Sequence, residues 1–173
     1  MTARQGRTAL HATIPPEDDM QFLRTLATAG LLTLANLAAT PALAADGLVA
    51  VKSPHTAAET MNRLEAQVKQ RGLNVFARID HAAGAAKVGK TLRPTELLIF
   101  GNPQGGTPLM ECAQGAGIDL PLKALVWEDA QAQVWLGYND PAWLAQRHGA
   151  AACPVVPNLQ KALAGIAEAV TAK

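Results

Sequence analysis

Four histidines, two cysteines and a thin scatter of carboxylates are the residues of this chain whose types could do chemistry. His81 is the best placed histidine, because it follows Asp80 at the end of an alternating apolar–polar segment. His11 lies far forward in the chain, His55 precedes a helix start where a cation is slightly disfavoured, and His148 falls near a helix end where a proton is favoured. No His-x-x-x-His or Cys-x-x-Cys spacing occurs, so neither a metal site nor any other cofactor is expected. Cys112 and Cys153 stand 41 positions apart, and three readings stay open. They form a disulfide, which in an oxidising compartment would stabilise by roughly 3–4 kcal/mol in the chain-entropy model. They are unlinked thiols, with Cys112 packed among Leu109, Met110 and Ala113. Or Cys112 pairs with a histidine as a nucleophile. The enzymatic alternative is thus a small hydrolase or redox-type enzyme using His81 with Glu96 or Cys112, with nucleophile and base within about 3 Å or one water. Glu128 and Asp129, with Asp119 and Glu96, are the carboxylates dense enough to suggest acid–base work, although two adjacent acids at a hairpin normally mark solvent.

Gly101 to Thr107 is a strand-to-helix turn with three glycines. Its free N–H groups could hold an anion. It lacks the Gly-Lys-Ser/Thr and Gly-x-Gly-x-x-Gly patterns that nucleotides require. The plainer reading has Thr107 and Pro108 starting a helix through about Gln114.

Positioning these groups falls to elements with clear signatures. Leu48–Val51 is a short strand. Thr56-Ala57-Ala58-Glu59 is a capping box opening an amphipathic helix with Met61, Leu64 and Val68 on one stripe, stopped by Gly72. Leu73–Asp80 alternates as a strand, and His81–Gly89 reads as a helical turn or loop. Thr95–Gly101, Leu122–Glu128 and Gln133–Tyr138 are further strands. Asp140-Pro141 caps a short helix ending near Gly149. Asn158 caps a last helix carrying Leu159, Leu163, Ile166 and Val170. Clustered strands with helices before and after predict an α+β domain: an antiparallel sheet with helices on one face, of β-α-β4-α type with an extra C-terminal helix.

The whole chain has 173 residues, 49% apolar, 17% charged, net charge +1. That suits one globular domain and excludes a disordered tail. Fifteen basic against 14 acidic side chains leave no surplus for phosphates, so no nucleic-acid partner is expected. Residues 20–44 read as a signal peptide: Arg24, an apolar run from Leu26 to Ala39, and Ala42-x-Ala44 before the cut. Residues 1–19, with Pro15-Pro16 and Glu17-Asp18-Asp19, read as a non-native upstream extension. Residues 45–173 are expected to form a single domain in the periplasm or secreted, with no stable membrane span after cleavage.

Arg78-Ile79-Asp80-His81, Arg93–Pro103, Gly106–Met110, Ile118–Lys123, Val126–Asp129 and Tyr138–Pro141 occur in order. Together they closely resemble the domain of unknown function 302 family over roughly Gly47 to Gly149. The resemblance implies a β-α-β4-α fold of the TATA-binding-protein-like class, commonly dimeric, with no established activity. Likeness to a DNA-binding saddle does not carry DNA binding with it.

If Val75, Ile79, Leu97 and Ile99 point at the helices, strand alternation sends Phe76, Arg78, Glu96, Leu98 and Phe100 the other way. Lys123, Leu125 and Trp127 oppose Leu122, Ala124 and Val126, with either set free to face the helices. A face mixing aromatic, aliphatic and charged side chains wants a cover. Phe76, Arg78, Phe100 and Trp127 are the interface candidates. The preferred reading is a homodimeric binding or interaction module for an unknown small molecule or protein, not an enzyme. Its candidate ligand-facing residues are His81, Glu96, Asn102, Thr107, Lys123 and Tyr138.

Overall fold

A computed structural model describes residues 47–173 and the backbone of Leu43 and Ala44. The upstream extension expected at 1–19 and the signal peptide expected at 20–44, apart from that two-residue backbone, lie outside the described residues. The strands are β1 (Leu43–Ala44), β2 (Leu48–Ser53), β3 (Asn74–Asp80), β4 (Thr95–Gly101), β5 (Leu122–Glu128) and β6 (Val134–Asn139). They form one antiparallel sheet in the order β1-β2-β6-β5-β4-β3, in which five strands are full length. The helices are α1 (Ala57–Gln70), α2 (His81–Lys87), α3 (Pro103–Cys112), α4 (Pro141–Arg147) and α5 (Val156–Thr171), with a 3-10 turn at Gln114–Ile118. The fold is α+β, as the strand and helix patterns predict.

The capping box opens α1 as expected: Thr56 Oγ1 accepts from the Glu59 N–H at 3.2 Å. Met61, Leu64 and Val68 are then buried on one stripe, and they meet Leu163, Ile166 and Val170 of α5 over the sheet in a single core. A polar pair is sealed beside it, where the Ser53 and Thr60 hydroxyls lie 2.7 Å apart. Arg63 of α1 donates to the Val170 and Ala172 carbonyls at 2.8 and 2.9 Å. A cation at the C-terminal, partly negative end of α5 thereby ties the two helices together.

In β4 the strand parity is the reverse of the one expected from alternation alone. Leu98 and Phe100 lie in the helix-side core with no exposure. Leu97 and Ile99 therefore face outward. In β3 a bulge between Val75 and Ala77 splits the expected face in two. It leaves Val75 paired with Phe100 on the helix side, yet turns Ile79 outward with Leu97. Arg78 faces the helices too, donating to Asn62 and Glu65 of α1.

Two helix starts differ from the sequence reading. α3 begins at Pro103, capped by Asn102, not at Thr107-Pro108. Both Asn-Pro and Thr-Pro satisfy the local rule, and Asn102 prevails because its Oδ1 accepts from the Gly105 N–H at 2.8 Å. Pro108 then sits inside the helix. α5 begins at Val156, with Pro157 in the first turn where no N–H is needed. The small-residue segment at 81–87 is helical, its first turn capped by Asp80 accepting from the Ala83 N–H at 2.8 Å.

Candidate functional site

At one end of the strands, on the helix side, an apolar cleft of about 690 Å³ opens between the sheet, α3 and α5. Phe76, Phe100 and Leu122 form its floor, the first thrown into it by the β3 bulge. One wall is α3 from Asn102 to Met110, and the other is α5 with Leu159, Ala162, Leu163 and Ile166. Leu120 and Pro121, joined by a cis peptide bond, close the far side with Gly117. None of the side chains lining the cleft is ionisable. Its polar groups are amides and one hydroxyl, from Asn102, Gln104, Thr107 and Asn158. Phe76 is 57% exposed, an unusual state for a phenylalanine, which the cleft explains.

The six ligand-facing candidates do not converge. Asn102 and Thr107 line the cleft, although the Asn102 side chain is committed to capping α3. His81 and Glu96 lie at the other end of β3 and β4, a seven-residue strand away, roughly 20 Å at about 3.3 Å per residue. His81 is exposed and makes no side-chain hydrogen bond among the described residues. Glu96 accepts from Arg78 Nε at 2.6 Å, and this bond, opposed by partial desolvation, raises the Arg78 pKa above its ordinary value. Lys123, on the outward face, folds its ammonium back onto the Asp119 and Pro121 carbonyls at 2.9 and 3.2 Å. Tyr138 is buried in the helix-side core, where desolvation first and Asp140 second push its phenol pKa up. Cys112 and Cys153 are bonded to each other with Cα atoms 6.0 Å apart, so neither is a free thiol. Glu96 is thus ion-paired with Arg78, and Cys112 is bonded to Cys153. Among the described residues no group of three or more His, Cys, Asp or Glu could hold a metal ion.

Of the interface candidates, Phe100 is wholly buried, Phe76 lies in the cleft and Arg78 bridges β3 to α1. Trp127 alone lies on the outward face, across Gly137 and stacked on Trp135 with ring centroids 6.3 Å apart. That face also carries Leu97, Ile99 and Leu125, with Lys52 over the Trp135 ring at 5.3 Å.

One cluster escaped the sequence reading. His148 Nε2 lies 2.6 Å from Asp119 Oδ2, and Arg147 donates to Asp119 Oδ1 at 3.2 Å. Nothing in their spacing announces it, because 29 residues separate Asp119 from His148. The pair fastens the segment after the 3-10 turn to the end of α4.

Comparison with known proteins agrees with this architecture. A crystal structure of a DUF302 protein from Bacillus stearothermophilus superposes with a TM-score of 0.66 at 22% identity, covering 72% of this chain and 98% of that one. That likeness is one of fold. Two curated relatives, both called fluoride-specific ion channel FluC 1, come from Brucella suis and Brucella abortus. Each is 59% identical over 103 residues, 60% of this chain. The match takes in 41% and 38% of those relatives, so this chain spans about two fifths of their length. A family model for the domain of unknown function DUF302 matches residues 49–166, and on that match, over most of the described chain, the protein is a member of the DUF302 family.

Proposed function

We propose that this protein is an exported binding module that takes an uncharged, apolar small molecule in the cleft and pairs with a second copy through its outward sheet face. The observation that carries the binding reading is a cleft of about 690 Å³ without one ionisable lining side chain. Pockets of roughly 300–1,000 Å³ bury small organic ligands, and a few placed polar groups orient them. An anion or cation entering this cleft would lose its hydration and gain no counter-charge. The signal-like residues 20–44 and the Cys112–Cys153 bond support export to the periplasm or beyond. Ion conduction, named for the longer Brucella relatives, forms no part of this proposal. No helix among the described residues is long and apolar enough to cross a membrane.

The test is fluorescence titration with the neutral probe N-phenyl-1-naphthylamine beside its anionic sulfonate analogue. The neutral probe should saturate at one per chain and the sulfonate should bind far more weakly. Ala162→Trp should fill the cleft and weaken the neutral probe at least about tenfold, a change of about 1.4 kcal/mol. Ala162 is exposed on α5, so the fold tolerates the larger side chain. Equal binding of both probes, or indifference to the tryptophan, would refute the reading.

A further inference from the structure

Both walls of the cleft end at the same covalent bond. α3 lines one side from Asn102 to Met110 and finishes at Cys112. α5, which lines the other, starts three residues after Cys153. We propose that the Cys112–Cys153 disulfide makes α3 a redox-controlled wall, ordered against α5 when oxidised and loosened when reduced. The proposal rests on the cleft being the binding site.

α3 has little else to hold it. Leu109 is its one fully buried side chain. Gly105 and Gly106 give its first turns no packing surface, and Pro108, inside the helix, lacks the N–H for a main-chain bond to the preceding turn. Beyond α3, the Asp119–His148–Arg147 cluster fastens the next segment to α4 without any thiol chemistry. Reduction therefore frees α3 while leaving that second fastening in place. The two half-cystines also differ in exposure, Cys112 being exposed and Cys153 buried. A dithiol reductant supplies both electrons. Its first thiolate attacks the Cys112 sulfur and expels Cys153 as a thiolate, which takes up a proton. Its second thiol then displaces Cys112, which leaves as a thiol, and the reductant closes into its own disulfide. The freed Cys153 thiol faces the Pro108 carbonyl, 3.6 Å from its sulfur, a weak substitute for the covalent bond.

Hydrogen exchange by mass spectrometry on the full chain, with and without dithiothreitol, reads the wall directly. The Cys112→Ser/Cys153→Ser double variant serves as a second route to the same state. Exchange over residues 103–112 should accelerate at least about tenfold, while α1 stays unchanged and affinity for N-phenyl-1-naphthylamine falls at least about threefold. Unchanged exchange in α3 would overturn the proposal, as would equal acceleration in α1, which is general unfolding. Faster exchange with unaltered probe affinity would sever the wall from the cleft and overturn it too. If α3 loosens but the oxidised protein binds no probe, the binding reading fails while the redox dependence of α3 stands.

Discussion

Asp129 shows how much a single carboxylate organises at a hairpin, where adjacent acids normally mark solvent. Its Oδ1 accepts from the Gln131 and Gln133 N–H groups, both at 2.9 Å, and its Oδ2 accepts from the Trp135 indole at 2.7 Å. It thus shapes the β5–β6 turn and fixes one of the two stacked tryptophans. The indole bond first, then the two backbone bonds and the nearby Arg93, hold its pKa below the ordinary 3.8. A depressed folded-state value means stabilisation that is present above the unfolded value and lost as pH falls through the folded one. Asp129→Asn should therefore lower the melting temperature at pH 7, and the gap from the parent should close well below pH 3.8. Circular dichroism melts at neutral and strongly acidic pH measure this. A gap of equal size at both would mean that the charge contributes nothing.

At the scale of elements, α3 is the one whose ends are most exposed to single changes, because its cap outweighs its packing. Asn102→Ala removes the acceptor for the Gly105 N–H and should cost about 1 kcal/mol, read as a lower urea midpoint at constant m-value. If Asn102 were instead held in reserve for a ligand, the midpoint of the empty protein would not move. The same element marks the limit of what the sequence discloses. α1 was legible because its capping box, its 3–4 spacing and Gly72 all agree. α3 offered two Pro-containing caps five residues apart, and only the three-dimensional path chooses between them. The β3–β4 parity was illegible for a related reason. Val75, Phe76, Leu97, Leu98, Ile99 and Phe100 are all apolar, so both faces look equally fit for burial, and within β3 a one-residue bulge moves the parity between Val75 and Ile79. The cleft is assembled from five separated stretches of chain, and no window of sequence contains enough of it to be noticed.

For the molecule as a whole, the helices account for only one face of the sheet. α1 and α5 bury Leu98, Phe100, Val126 and Leu136, leaving Leu97, Ile99, Leu125, Trp127 and Trp135 half-buried on the other. An antiparallel sheet that meets water alternates apolar with polar residues. Here the alternate set is apolar as well, and the Lys52 and Lys123 ammonium groups that border it lean on a ring and on backbone carbonyls. Two such faces stacked at about 10 Å would build a four-layer sandwich with both clefts on the outside. Strand spacing and rise give each face a footprint of roughly 500 Å², at the lower end for a specific interface, so the pairing should weaken on dilution. Native mass spectrometry across a dilution series should find two chains at high concentration and one at low. Leu125→Arg, on central strand β5, should give one chain throughout, because an unpaired guanidinium would be desolvated at the contact. The same variant should bind the neutral probe within about twofold of the parent, since the cleft lies on the far side of the sheet. A parent protein that stays a single chain at every concentration would remove the case for pairing and leave the cleft untouched.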